Sequence, residues 1–249
     1  MKMPRLSVLI MLAAIALPAT AAPTAAELAA KMREARLTPG FEARFQAVNV
    51  APDGQRSTPI KAAVVGQFDA AHRRLLLRGI APEAIRDEIR AVDYRAGGCS
   101  RASDGNGPAD PFAPLFGTRL VAWDMLAPWW DWPRQSLAGA DRVVGRECVL
   151  VRSRTDDRDT PPIREVLSCI DADAGISLRT QLFDSHGALV RDITVVTTVR
   201  KESGLLAARK VTVAVGDKRT EAETYSGDEH YEVPVGAFTK LEGQPTTCR

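Results

Sequence analysis

The residue types that most often carry catalysis are sparse in this sequence and form no recognised motif. The chain of 249 residues contains three histidines, His72, His186 and His230, which lie far apart. We expect each of them to be an exposed residue rather than a base or a metal ligand. The sequence has no nucleophile elbow, HExxH zinc motif, GxGxxG fingerprint or P-loop. It therefore predicts a protein that is not an enzyme and that needs no metal or cofactor.

Aromatic side chains are concentrated in one short stretch, which contains all four tryptophans of the chain. Two interpretations are open: the rings fill a core beneath the neighbouring loop, or they form a wall or lid of an apolar ligand cavity. Clustered aromatic and methionine side chains make large, adaptable apolar surfaces, and ligand cavities are lined in this way. The candidate ligand-binding residues are Phe112, Phe116, Trp123, Met125, Leu126, Trp129, Trp130 and Trp132.

The N-terminus has the three-part pattern of a secretory signal. Two basic residues precede the apolar run Leu6–Leu17, and Pro18 and the small residues Ala19–Ala21 follow it. The run is too short for a bilayer, which takes about 20 apolar residues to cross. No cysteine lies near the expected cleavage site, so we expect no lipid anchor. The sequence predicts a signal peptide at residues 1–21 and one soluble, periplasmic domain at residues 22–249.

Export makes disulfides the natural interpretation of the four cysteines, since the count is even and no CxxC pair is present. Residues 142–154 and 163–171 resemble two strands joined by a polar turn that contains proline. Folding that hairpin places Cys148 opposite Cys169, within disulfide reach. Cys99 and Cys248 would then form the second bridge.

The elements that must position these residues are mainly strands. Thr24 and Glu27 form a capping box, which predicts a helix to about Leu37. Beyond it, apolar runs every 8 to 12 residues alternate with polar turns, a pattern typical of one large antiparallel sheet or barrel. Two stretches are predicted otherwise: Ala81–Arg90 as a short helix and Ala96–Pro114 as a long loop.

Charge argues against one class of partner. The 33 lysines and arginines nearly balance the 31 aspartates and glutamates, and the charges are scattered along the chain. Proteins that bind nucleic acid usually cluster their basic residues on one face or segment. We therefore expect no nucleic-acid partner.

About half of the mature chain resembles the LolA-like outer-membrane lipoprotein-sorting family. The similar segments follow one another in the family's order and spacing: Gly117-Thr118 with Trp123-Asp124-Met125-Leu126, then Gly145–Leu150, Cys169–Arg179, Phe183-Asp184 with Gly187–Arg191, and Val233–Thr239.

The resemblance implies a mainly β (α+β) fold: a single, strongly curved antiparallel sheet that forms an open half-barrel. An N-terminal helix and short helices would cover its concave face. It also implies a periplasmic carrier or sensor that binds a lipid or a lipoprotein acyl chain, with an inner- or outer-membrane envelope protein as a further partner. The alternative is an envelope scaffold that uses the sheet as a docking surface and binds no lipid.

Overall fold

The computed structural model of the chain describes residues 22–96, 98–155 and 163–248. Residues 247 and 248 are described by their backbone alone. The predicted signal peptide lies outside these ranges, as do residues 156–162 of the predicted turn at residues 155–162. Among the described residues, no helix combines the length and the apolar character needed to cross a membrane.

The first element is the helix α1 (Ala25–Glu34), which begins at the predicted capping box. The Thr24 hydroxyl accepts a hydrogen bond from the Glu27 N–H at 3.2 Å, and the Thr24 N–H donates to the Glu27 carboxylate at 2.7 Å. These bonds satisfy two backbone donors that the first turn of a helix leaves unpaired. The helix ends at Glu34, short of the predicted Leu37. It buries one face, with residues spaced three and four apart: Ala25, Leu28, Ala29 and Met32.

Thirteen strands in the described part of the chain form one antiparallel sheet. The first five are β1 (Thr38–Val50), β2 (Ile60–Phe68), β3 (His72–Ala81), β4 (Ile89–Arg95) and β5 (Cys99–Ser103). The other eight are β6 (Arg134–Val143), β7 (Arg146–Arg154), β8 (Ile163–Asp171), β9 (Ile176–Asp184), β10 (Leu189–Arg200), β11 (Leu206–Val215), β12 (Lys218–Asp228) and β13 (Thr247–Cys248).

Sequential hairpins account for most of the topology. The strand order is β13-β5-β4-β3-β2-β1-β12-β11-β10-β9-β8-β7-β6, so β1–β5 form one meander and β6–β12 form another. The two meanders join where β1 pairs with β12, a junction that we call the seam. The sheet is strongly curved and stays open, with its free edges at β13 and β6. The predicted half-barrel is confirmed.

The structure corrects three local predictions. Ala81–Arg90 is not a helix: β3 runs to Ala81, a single 3₁₀ turn follows at Glu83–Ile85, and β4 begins at Ile89. The turn folds back closely, and a Cβ on Gly79 would lie 2.0 Å from the Ile85 carbonyl oxygen. The predicted loop at residues 96–114 contains β5, whose pairing with β4 outweighs its glycine-rich surroundings. Residues 142–154 form a hairpin rather than one strand.

That hairpin turns on two residues, because Val143 at the end of β6 pairs with Arg146 at the start of β7. Val144 and Gly145 both have positive φ, 50° and 78°, as a type I′ turn requires. Glycine adopts this conformation readily, whereas a β-branched valine rarely does. Because valine is unusual at such a position, the sequence did not predict this turn.

Between β5 and β6 the chain crosses the concave face of the sheet. We call residues 115–132 the covering segment; it contains the short helix α2 (Ala122–Leu126) and a 3₁₀ turn at Pro128–Asp131. Most of its side chains are buried.

Polar side chains at the seam hold the start of the covering segment. The backbone N–H of Arg119 donates to the hydroxyl of Thr220 on β12 at 2.9 Å. That hydroxyl donates to Asn49 on β1 at 2.6 Å, and the Asn49 amide donates to the Gly117 carbonyl at 3.0 Å. Thr220 is fully buried, so the two bonds of its hydroxyl are protected from water.

A buried ion pair holds the middle of the covering segment to β10. The Arg191 guanidinium donates to the Asp124 carboxylate and, at 2.7 Å, to the Arg119 carbonyl. The two side chains are 14% and 8% exposed, respectively. Burial raises the pKa of Asp124 to about 6, and the attraction of Arg191 opposes that shift. The pair therefore fixes the segment at the cost of desolvating both ions.

The disulfide Cys148–Cys169 connects β7 with β8, as predicted. The ladder pairs Leu150 with Cys169, so the bridge runs diagonally rather than directly across the two strands. Cys99 is also disulfide-bonded, and its backbone pairs with that of Cys248 in the β5–β13 ladder. The side chain of Cys248 lies outside the described residues, so the Cys99–Cys248 bridge stays a prediction.

We expect the Cys148→Ala/Cys169→Ala variant to lose about 3 kcal/mol in free energy of unfolding, because the bridge closes a loop of 21 residues. Denaturant titration measures the loss. Either single alanine variant should lose a similar amount, since each removes the same bond. A loss below about 1 kcal/mol in the double variant would contradict this prediction.

We also expect Asp124 to make stability depend on pH. Its pKa is raised from 3.8 to about 6, so the folded state binds the proton more tightly than the unfolded chain does. The resulting stabilisation is full below about pH 4 and is lost as the pH rises through 6. Between pH 4 and pH 7 the native protein should lose roughly 2–3 kcal/mol relative to Asp124→Asn. Thermal and denaturant unfolding at both pH values measure the difference.

The control for this prediction is Asp217→Asn, which changes an exposed carboxylate in the β11–β12 turn. The free energy of unfolding of this variant should depend on pH as that of the native protein does. If Asp124→Asn does so as well, the raised pKa is wrong.

Candidate functional site

The four tryptophans pack between α1 and the sheet. Their exposed fractions range from 1% to 8%. Trp123 lies near the centre of the group, with ring centroids 5.3 Å from Trp129 and 6.3 Å from Trp132. They share a core with Leu28 and Met32 of α1 and with apolar residues of β7–β9. The structure thus brings the predicted aromatic cluster together as a packed layer.

The other predicted ligand-binding residues lie on both sides of this layer. Phe112 packs against Trp123 with ring centroids 5.0 Å apart and the rings tilted by 44°. Phe116 and Leu126 are buried in a second core, over β1–β4. Met125 is half-buried and lines a cavity. Met125 is therefore the predicted residue that the structure places at a cavity wall.

This cavity has a volume of about 240 Å³ and opens on the concave side of the seam. Strands β1, β2, β11 and β12 form its floor, and Leu120 and Met125 of the covering segment close one side. The lining is mainly apolar; its other members include Phe41, Ala43, Phe45, Val64, Phe68, Leu75, Val211 and Ala222. Arg209, Glu223 and Thr224 are the polar residues that β11 and β12 contribute.

Strand alternation explains why these residues share one face. Phe41, Ala43 and Phe45 are two residues apart along β1, so their side chains point to the same side of the sheet. Gly66 on β2 lies beside Phe41, and a Cβ there would approach the Phe41 ring to 2.1 Å. The missing side chain allows the ring to lie across β2, where it meets Phe68 edge-to-face at 5.6 Å.

One of the two arginines that line the cavity, Arg36, lies beside its apolar side chains. Arg36 lies in the turn between α1 and β1, and its Nη2 donates to the Met125 carbonyl. Its guanidinium carbon is 5.4 Å from the centroid of the Phe68 ring, within the range of a cation–π contact. Burial, aided by repulsion from Arg73, lowers the pKa of Arg36 to about 10. The arginine stays charged at neutral pH, in an environment that disfavours its charge.

The charges around Arg36 do not balance. Arg73 on β3 binds the Asp131 carboxylate at 2.7 Å, and Nε of Arg33 on α1 lies 3.8 Å from the same carboxylate. Arg36 interacts with Asp131 at longer range. Asp131 itself is largely buried, which raises its pKa against the attraction of Arg73 and Arg33. Three guanidinium groups thus share one carboxylate.

The histidines lie apart from this cavity. His186 and His230 have side chains 87% and 73% exposed. His72 departs from the prediction, because its side chain is only 30% exposed and its Nδ1 lies 2.8 Å from the Asp93 carboxylate. In the part of the chain that the structure describes, no three histidine, cysteine or acidic side chains are grouped to hold a metal ion.

Most residues that line the cavity were not among the sequence-based candidates. Phe41 and Phe45 carried a usable signal, since the apolar residues 41, 43 and 45 alternate with the charged Glu42 and Arg44, a pattern typical of a strand. Arg36 carried none: a basic residue near the C-terminal end of a helix is ordinarily explained by the helix dipole. Val211 and Ala222 come from strands far away in the chain, and only the pairing of β1 with β12 brings them to the site.

Comparison with known proteins shows the fold. No protein-family model and no curated protein matches the chain. A crystal structure of a DUF1329 family protein from Desulfovibrio piger matches with a TM-score of 0.75 and 13% identity, covering 88% of this chain and 98% of the other. A domain from Vibrio parahaemolyticus is described as an outer membrane lipoprotein-sorting protein domain. It matches with a TM-score of 0.72 and 14% identity, covering 85% of this chain and 95% of the other.

A LolA superfamily protein from Nitrosomonas europaea matches with a TM-score of 0.67 and 12% identity, covering 87% of this chain and 98% of the other. Identities at this level show shared architecture rather than shared activity. The fold that the resemblance implied is therefore confirmed: this chain has a LolA-like fold.

Proposed function

We propose that this protein is a periplasmic carrier or sensor that binds the acyl chain of a lipid or lipoprotein in the cavity at the seam. The cavity carries the proposal, because it combines an apolar lining, an opening to solvent and a position on the concave face of a LolA-like sheet. An acyl chain gains roughly 0.8 kcal/mol for each methylene group that leaves water. Such a site holds a lipid without any chemical step.

The size of the cavity limits the ligand. Pockets for drug-sized molecules occupy about 300–1,000 Å³, and this cavity of about 240 Å³ lies just below that range. It suits one acyl chain rather than a lipid with several. We therefore propose a single chain as the occupant.

Among the sequence-predicted candidates, we assign direct ligand contact to Met125. Its flexible thioether side chain can adapt to an acyl chain. The four tryptophans, with Phe112, Phe116 and Leu126, support the covering segment that presents Met125 to the cavity. An inner- or outer-membrane envelope protein is the proposed donor or acceptor of the ligand.

The comparisons and the N-terminal sequence support the proposed location. One structure that shares this fold is described as an outer membrane lipoprotein-sorting protein domain. The first 21 residues have the pattern of a secretory signal. Both are consistent with work in the bacterial envelope.

Filling the cavity tests the proposal. Ala43 lines the cavity and is half-buried, and leucine would add three carbon atoms there. We expect Ala43→Leu to displace about three methylene groups of the ligand, which weakens binding by roughly 2 kcal/mol, or about 30-fold. Displacement of an uncharged fluorescent apolar probe by acyl ligands measures the change.

The matched control is Ala207→Leu. Ala207 is also half-buried and does not line the cavity. The β10–β11 register leaves Arg209 unpaired in a β-bulge, so Ala208 shares a face with Val211 and Ala207 faces the other side of the sheet. This variant should bind the ligand as the native protein does. Equal weakening in both variants, or no binding by the native protein, contradicts the proposal. Co-purification of a defined protein partner without lipid would instead favour the scaffold alternative.

A further inference from the structure

We infer that the occupant of the seam cavity carries a carboxylate, and that Arg36 binds it: the ligand is a free fatty acid with one chain. This inference rests on the proposed function and names the chemistry of the ligand's polar end. Three features support it, namely an unused donor, an excess of positive charge and the small size of the cavity.

The unused donor is Nε of Arg36. This atom is buried and makes no hydrogen bond with the described residues. A buried donor without a partner is costly, and native proteins rarely keep one unless a ligand or water satisfies it. Because Arg36 lines the cavity, a ligand there can supply the missing acceptor.

The excess of positive charge around Arg36 favours a negatively charged ligand. The charged groups that interact with Arg36 are Arg73 and Asp131, and Asp131 is already bound by Arg73 and approached by Arg33. Arg209 and Glu223 also line the cavity, and they pair with each other at 3.5 Å. Arg36 has no carboxylate of its own. A bound anion would therefore offset a buried charge that the chain leaves uncompensated.

The surroundings select the kind of anion. Besides Arg36, the lining has three polar residues, Arg209, Glu223 and Thr224; the rest of the wall is aliphatic and aromatic, so it suits a hydrocarbon chain. A guanidinium binds carboxylates well through planar, charge-assisted hydrogen bonds. A cavity of about 240 Å³ has little room for a bulky headgroup in addition to a chain. A carboxylate is the smallest common anionic headgroup that meets all three conditions.

The test compares ligands that share one chain and differ in the headgroup: dodecanoate, dodecanol and dodecyl phosphate, at pH 8 and below their micelle concentrations. Titration calorimetry on the native protein should show dodecanoate bound at least about ten-fold more tightly than dodecanol, the gain typical of a hydrogen bond to a charged group. Equal affinities would overturn the inference and leave the proposed function standing. Tighter binding of dodecyl phosphate would overturn the assignment to a carboxylate.

Two variants test whether Arg36 causes the preference for dodecanoate over dodecanol. Arg36→Met keeps an unbranched side chain, so it should bind dodecanol as the native protein does while losing the preference for dodecanoate. The matched control is Arg209→Met. Arg209 also lines the cavity, but its side chain is 56% exposed and lies 3.5 Å from Glu223.

Arg209→Met removes the same charge and should keep the preference. If it loses the preference and Arg36→Met keeps it, the inference is wrong. If Arg36→Met does not fold, the comparison of dodecanoate with dodecanol on the native protein still tests whether the cavity prefers a carboxylate. Binding of none of the three ligands would overturn the proposed function itself.

Discussion

A buried segment without regular secondary structure must find partners for its backbone carbonyls, and this constraint shapes the concave side of the molecule. The covering segment lies over the sheet with only one short helix and one 3₁₀ turn. Arginines supply many of the missing donors. The carbonyls of residues 119, 125, 126 and 130 accept hydrogen bonds from Arg191, Arg36, Arg73 and Arg33, respectively.

The use of arginine for this purpose has an electrostatic consequence. Arg36, Arg73 and Arg191 also bring a full charge each into a poorly solvated region. Asp124 compensates Arg191, and Asp131 compensates Arg73 together with Arg33. Arg36 has only a carbonyl and an aromatic ring as direct partners. The same requirement that holds the covering segment in place thus leaves one positive charge at the cavity wall.

Local patterns predicted much of the fold from the sequence. The capping box at Thr24 located the start of α1, and alternating apolar residues with polar turns located most strands. The prediction failed where tertiary contacts outweighed local preference, as at β5, and where Val144 adopts a left-handed conformation that valine rarely tolerates. The cavity escaped prediction for another reason: Phe45 and Ala222 meet only across the seam, and no local pattern encodes that pairing.

The seam also determines at which stage of folding the cavity forms. Apart from β5 and β13, the neighbouring strands on either side of it are hairpin partners along the chain, whereas Phe45 of β1 pairs with Thr224 of β12 near the other end. Closing so long a loop carries a larger entropic cost than forming hairpins, so local pairing precedes the seam on these grounds. The cavity floor is complete only after that closure. A ligand bound there holds the two ends of the chain together and protects the seam against local opening.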